Sequence, residues 1–290
     1  MTVPFRRPFR ALVAAGLGLS LTACVAALDA ATPKSGYTVV EDLRYRPGAR
    51  GTYDLYVPQD ARPDSPVVVF FYGGSWDTGS KDIYGFLGQA LASQGIVVAV
   101  PDYRLYPQVT FPGFVEDGAE ATAAVAALAA EGGSGVPAGR HRLYLMGHSA
   151  GAEIAGLLAT DARYLTRRGL SPARLSGFVG LAGPYDFLPL TEARYERIFP
   201  EAVRADSQPV NFVNGDEPPM LLIAGEADTT VNPKNTRSLA ARVTAEGGQA
   251  RVLLRPGVDH VGAVTAFATA LPLQDRTIRD AAIAFIRESR

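Results

Sequence analysis

One pentapeptide constrains this chain more than any other feature: Gly147-His148-Ser149-Ala150-Gly151, directly after the apolar run Leu143-Tyr144-Leu145-Met146. Read as G-x-S-x-G between a strand and a helix, it describes a tight turn that holds a serine Oγ at the carboxyl edge of a sheet. The glycines allow the strained turn and close packing of helix on strand. Helix amides beginning at Ala150 then sit where negative charge would develop on an attacked carbonyl. A five-residue pattern arises by chance often enough that its surroundings have to carry the argument.

The surroundings supply the partners of a nucleophilic serine. On a strand-turn-helix scaffold of this kind, the acid and the histidine follow the serine in the chain. Of the three histidines, His141 precedes Ser149 and His148 lies inside the turn, so only His260 stands downstream. It follows the strand-like run Arg251-Val252-Leu253-Leu254-Arg255 and a Pro256-Gly257 turn. For the acid, Met220-Leu221-Leu222-Ile223-Ala224 reads as a buried strand leading into Gly225-Glu226-Ala227-Asp228-Thr229-Thr230-Val231. A carboxylate just past that strand can fix the histidine tautomer and stabilise its imidazolium. Asp228 lies deeper in the loop and is preferred, with Glu226 and Asp259 as alternatives. Asp259 adjoins His260, and adjacent side chains usually point apart.

Upstream, Val67-Val68-Val69-Phe70-Phe71 is a continuous apolar run, as expected of a central parallel strand. It ends in Tyr72-Gly73-Gly74-Ser75-Trp76, where glycines let backbone N–H groups approach a substrate carbonyl. The amides of Gly73, Gly74 and Ala150 are the expected oxyanion hole.

Together these pieces resemble the α/β-hydrolases of the carboxylesterase type, close to the hormone-sensitive-lipase-like and BD-FAE-like esterases. The resemblance runs from about Tyr53 to the C-terminus and includes Asp102-Tyr103-Arg104-Leu105, which is similar to the family's D-Y-R-L and reads as structural. Tyr72 departs from it where many relatives carry the histidine of H-G-G-G, and Ser75 replaces the third glycine. The backbone donors survive both changes. The resemblance implies an α/β fold with a mostly parallel central sheet, helices on both faces and a short lid insertion. It implies Ser149, Asp228 and His260 as catalytic residues, a small-molecule ester as substrate, and no cofactor. Trp76, Tyr185 and Phe187 are expected to contact substrate. Glu153, one turn past Ser149, is expected to make a buried ion pair or hydrogen bond behind the turn. The residues alone indicate acyl transfer, and the preference for esters comes from the resemblance. Hydrolysis of amides or formamides in the manner of arylformamidases, an isoprenylcysteine-type methylesterase, and a non-catalytic surface lipoprotein are the alternatives.

The first 23 residues read as a signal peptide, with Arg6-Arg7 and Arg10 ahead of the apolar run 11–22. Leu21-Thr22-Ala23-Cys24 resembles a bacterial lipobox, in which the cysteine is lipidated and becomes the mature N-terminus. Cys24 is the sole cysteine, so an exported body can form no internal disulfide. The expectation is an exported cell-envelope lipoprotein held to a membrane through its N-terminal lipid, with 24–36 as linker. Residues 37–290 are expected to form one catalytic domain. A net charge of −1 without a basic stripe argues against nucleic acid as a partner, and no His/Cys/Asp grouping has metal-binding spacing.

Strands are expected at 37–43, 51–57, 67–72, 96–100, 143–147, 175–181, 220–224 and 251–254, and helices at 84–93, 114–130, 150–159, 235–245 and 274–290. This alternation predicts right-handed crossovers. The long segment 183–218 breaks the rhythm and is expected to be a lid or substrate-binding insertion whose Tyr185, Phe187, Tyr195 and Phe199 wall the pocket.

Overall fold

The computed structural model describes residues 31–270 and 275–288. The expected signal peptide and the lipidation site at Cys24 lie outside the described residues. At the end of the expected linker, Thr32 is buried and Pro33 accepts a hydrogen bond from the Tyr37 hydroxyl at 3.0 Å, so this stretch lies against the domain. Among the described residues no helix is long and apolar enough to cross a membrane.

Eight strands form one sheet: β1 (Tyr37–Arg44), β2 (Thr52–Pro58), β3 (Val67–Phe71), β4 (Val97–Pro101), β5 (Leu143–His148), β6 (Leu175–Leu181), β7 (Met220–Gly225) and β8 (Ala250–Arg255). Their spatial order is β1-β2-β4-β3-β5-β6-β7-β8. The pairs β1–β2 and β2–β4 are antiparallel, and all other pairs are parallel. Every residue of β3, β4, β5 and β7 is buried, which requires cover on both faces and explains their unbroken apolar runs.

The main helices are α1 (Gly85–Ala92), α2 (Gly113–Glu131), α3 (Ala150–Thr160), α4 (Ala162–Thr166), α5 (Ala193–Ile198), α6 (Glu201–Arg204), α7 (Lys234–Ala245), α8 (Gly262–Thr265) and α9 (Thr277–Glu288). Alanines and Gly118 along α2 let it pack closely on β3, β4 and α3. α3 rests on β3, β5 and β6, and α7 on β7 and β8.

The strand order determines where a site can form. From β3 the chain steps to β4 on one side, then returns to β5 on the other. Connections leaving in opposite directions open a crevice beyond the carboxyl ends of the two strands. The parallel register places Phe71 beside Gly147, and Leu181 beside both His148 and Ile223. The loops after β3, β5, β7 and β8 therefore emerge at one edge.

The segment 183–218 carries α5, α6 and two short 3-10 turns, and it is firmly docked. Asn235 Oδ1 accepts the amides of Tyr185 and Asp186 at 3.1 and 2.8 Å, Gln208 accepts that of Phe187 at 2.7 Å, and Ile198 accepts that of Phe111 at 2.9 Å.

The Asp102-Tyr103-Arg104 stretch works inside the scaffold. Asp102 Oδ1 accepts the Tyr72 hydroxyl at 2.6 Å and the Lys81 amide at 3.0 Å. Tyr103 donates its hydroxyl to the Tyr72 carbonyl at 2.6 Å, and Arg104 forks onto the buried Asp117. These bonds hold the end of β3 from behind.

Candidate active site

At the end of β5 the chain turns through Ser149, whose φ of 54° and ψ of −125° lie outside the ordinary regions for a side-chain-bearing residue. Such a conformation costs about 1–3 kcal/mol and persists only when the surroundings enforce it. The Ser149 amide donates to the Leu181 carbonyl at 2.9 Å, and its carbonyl accepts the amide of Ala152 at 2.9 Å. The flanking glycines are dictated by space. A Cβ on Gly151 would lie 2.1 Å from the Phe71 carbonyl oxygen, and one on Gly147 would lie 2.2 Å from that of Gly151.

Three loops converge on this serine. His260 Nε2 is 2.8 Å from Ser149 Oγ, and His260 Nδ1 is 2.8 Å from Asp228 Oδ2. Asp228 Oδ1 accepts the amides of Thr230 and Val231, each at 2.8 Å. Burial pushes the Asp228 carboxyl up, but the hydrogen bond and charge of His260 and the two amides outweigh it, leaving it below its ordinary value. Two backbone bonds join the loops that carry Asp228 and His260: Glu226 N to Arg255 O at 2.9 Å and Ala227 N to Val258 O at 3.0 Å. The alternative acids stand elsewhere. Glu226 is exposed, and Asp259 Oδ1 accepts the amide of Gly262 at the start of α8.

The remaining histidines have structural settings. The His141 ring bridges the carbonyls of Ser65 and Pro137. His148 Nε2 donates to the His260 carbonyl at 3.0 Å and so braces the loop that carries His260. Burial, then the neighbouring His260 ring, pushes the His148 imidazole down to about 3. The unfolded chain binds a proton at this residue near pH 6.5 and the folded protein does not until about pH 3. Stability contributed by neutral His148 is thus complete above pH 6.5 and is lost as pH falls through that window. The limiting slope is about 1.4 kcal/mol per pH unit. Urea unfolding from pH 7 to pH 4.5 should show a steeper loss for the parent protein than for His148→Asn. Parallel curves would mean that His148 takes up its proton without unfolding.

The turn after β3 packs directly on Ser149. A Cβ on Gly73 would lie 2.9 Å from Ser149 Cβ. Gly73 is therefore required for close approach. The amides of the expected oxyanion donors Gly73, Gly74 and Ala150, and that of Ser75, meet no hydrogen-bond acceptor in the protein among the described residues. Ser75 (φ 51°) and Trp76 (φ 60°) both adopt left-handed backbone, a costly arrangement for two consecutive residues that are not glycine.

A cleft of about 320 Å³ opens over Ser149, walled by Trp76, Phe187, Leu190, Tyr195 and Val231, with Lys234 exposed at its rim. The insertion 183–218 supplies Phe187, Leu190 and Tyr195, and Arg194 ties it to Asp77 at 2.6 Å. Two expected wall residues point away. Tyr185 is wholly buried beneath the insertion, with its ring edge-on to Phe178 and its hydroxyl crowded against Gly180. Phe199 is buried behind Trp76, edge-on at 4.8 Å. Docking the insertion needs apolar anchors, and these two provide them. Among the described residues no group of three or more His, Cys, Asp or Glu is arranged to hold a metal ion.

The BD-FAE family model matches residues 53–243. Isoprenylcysteine alpha-carbonyl methylesterase of Arabidopsis thaliana is 30% identical over 246 residues, covering 77% of this chain and 56% of the relative. Kynurenine formamidase of Danio rerio is 31% identical over 173 residues, covering 59% of this chain and 55% of the relative. The chain thus spans little more than half the length of these curated relatives. The phosphonate-inhibited esterase B of Lactobacillus rhamnosis superposes with a TM-score of 0.75 at 23% identity, covering 96% of both chains, and so shares the fold.

Proposed function

This chain belongs to the BD-FAE family, and on that premise we propose that it is a serine hydrolase cleaving carboxylic esters of small to medium acyl groups through an acyl-enzyme. The observation that carries this reading is the continuous hydrogen-bonded line Ser149 Oγ, His260, Asp228 at the floor of an apolar cleft.

The steps follow from the geometry. His260 Nε2 removes the hydroxyl proton as Ser149 Oγ attacks the acyl carbonyl carbon. The carbonyl π electrons move to oxygen, and the oxyanion takes hydrogen bonds from the amides of Gly73, Gly74 and Ala150. Asp228 keeps the proton of His260 on Nδ1 and stabilises the imidazolium. His260 then gives its Nε2 proton to the departing alkoxide, breaking the ester C–O bond and leaving the acyl group on Ser149. Water, deprotonated by His260, attacks the acyl-enzyme, and collapse of the second intermediate releases acid and returns the proton to Ser149.

A second reading has its own support. The Gly73-Gly74-Ser75-Trp76 turn and the kynurenine formamidase relative favour hydrolysis of an aryl formamide. The deciding experiment is kcat/KM over p-nitrophenyl acetate, butyrate and longer esters, with an aryl formamide alongside. Ester turnover that exceeds formamide turnover supports the first reading, and the reverse supports the second. No turnover of any member would favour a non-catalytic binding protein.

The same assay tests the cleft walls. Each methylene buried against Phe187 or Tyr195 is worth about 0.8 kcal/mol, near fourfold in kcat/KM. Phe187→Ala and Tyr195→Ala should each lower the butyrate-to-acetate ratio about threefold or more, with little change for acetate. Ratios within about twofold of the parent in both variants would place acyl selectivity elsewhere.

The sequence also supports anchoring of the exported protein at a bacterial envelope through lipid on Cys24. Stable attachment takes more than one acyl chain, as lipobox processing supplies. Radiolabelled palmitate should enter the parent protein and not Cys24→Ser. A mature N-terminus beyond residue 24, found by mass spectrometry, would refute lipidation.

A further inference from the structure

We propose that Glu153 is a positioning residue of the active site, a strut that ties the helix behind the nucleophile to the oxyanion turn by holding the indole of Trp76. The inference rests on the esterase reading above and assigns this buried carboxyl a part in it.

Glu153 lies in the first turn of α3, four residues beyond Ser149, and is completely buried. Its Oε2 accepts the Trp76 indole N–H at 3.1 Å, while its Oε1 has no partner among the described residues. Burial pushes the carboxyl well above its ordinary value, and among the described residues it faces no ion-pair partner. A buried acid with a single protein partner is expensive to keep, and nothing in the proton transfers above uses it.

What the bond joins explains its position. One end is α3, which carries the Ala150 amide. The other is Trp76, the residue after the left-handed Ser75, in the turn that carries the Gly73 and Gly74 amides. The two halves of the oxyanion hole thus belong to segments more than 70 residues apart, and Glu153 with Trp76 bridges them side chain to side chain. The turn is strained and needs enforcement. The Trp76 carbonyl accepts the Tyr106 amide at 2.8 Å, and the indole is caged by Phe187, Tyr195 and Phe199. The cage limits where the ring lies, and the directional N–H bond determines how it is turned. The same ring face forms a wall of the cleft, so one hydrogen bond adjusts both donors and wall.

Trp76 is the only tryptophan in the chain, so intrinsic emission reports this ring alone. In Glu153→Leu, which keeps volume and removes the acceptor, emission should move to the red and acrylamide quenching should rise. Its kcat for p-nitrophenyl acetate should fall about 10- to 100-fold, with KM within about threefold. Glu153→Gln keeps a side-chain oxygen that can accept the indole N–H and should restore parent emission and bring kcat within about threefold. Trp76→Phe keeps a ring and removes the donor. It should lose kcat to the same extent as Glu153→Leu, and the double variant should be no worse than either, which gives a second route should Glu153→Leu not fold. Unchanged emission and quenching in folded Glu153→Leu would overturn the strut. So would additive losses in the double variant, or a Glu153→Gln as damaged as Glu153→Leu. If the parent protein cleaves no ester at all, the esterase reading fails on its own account, and the emission comparison still decides whether Glu153 holds Trp76.

Discussion

Replacing Ser149 with alanine is expected to lower kcat/KM for p-nitrophenyl esters by about 10³-fold or more, with circular dichroism and thermal unfolding unchanged. The reason is local. Ser149 Oγ is the atom to which His260 Nε2 is directed, and it stands at the floor of the cleft. Alanine keeps the Cβ that packs on Gly73 and loses only the hydroxyl, so the strained turn should survive as well as it does with serine. The bonds from the Ser149 backbone to Leu181 and Ala152 are unaffected by the change. Activity that remains would come from the oxyanion donors and binding alone. A fluorophosphonate should label the parent protein at Ser149 and leave Ser149→Ala unlabelled. Labelling of another serine, or full activity in a preparation of the variant free of contaminating esterase, would end the assignment of Ser149 as nucleophile.

Asp228→Asn is expected to lower kcat about 10⁴-fold at neutral pH, the scale associated with a triad whose histidine is held in the wrong tautomer. Here the wrong tautomer follows from the hydrogen bonds. Oδ1 of Asp228 accepts two amides, from Thr230 and Val231. An asparagine would keep its carbonyl oxygen on those donors and turn its NH2 toward His260. The NH2 would then donate to Nδ1, forcing the imidazole proton onto Nε2, where it can no longer receive a proton from Ser149. Glu226→Gln and Asp259→Asn should stay within about twofold of the parent, since one is exposed and the other caps Gly262. A mild Asp228→Asn beside a crippled Glu226→Gln would reverse this choice of acid.

How much of the site could be read from sequence differs by residue. Ser149 stood out because a nucleophile turn needs glycines at fixed offsets, and those glycines answer to contacts within one strand-turn-helix unit. His260 was identified by elimination among three histidines and by following a strand-like run. Asp228 required a preference among three carboxylates, and its loop environment now gives that preference a physical basis: buried, bonded to two amides and facing the imidazole. The strands and long helices also matched their patterns closely, because β-branched runs and alanine-rich stretches encode burial locally. The short helices within 183–218 did not. At four to six residues, they carry too little periodicity to be told from loop.

By itself, the sequence determined the fold class, the elbow and the order in which serine, acid and histidine reach the sheet edge. Each of these is written in short windows, as glycine spacing, apolar runs and chain order. The tertiary structure alone decided the assignments that depend on through-space neighbours. Tyr185, Phe187, Tyr195 and Phe199 are all aromatic residues of one insertion, yet docking buries two of them and turns the other two into the cleft. Glu153 and Trp76 are 77 residues apart, and no local pattern records that they meet. A local window fixes which residue types are present and how they alternate. It cannot say which side of a residue faces a partner brought in by another part of the chain, and the chemistry of this site depends on those orientations.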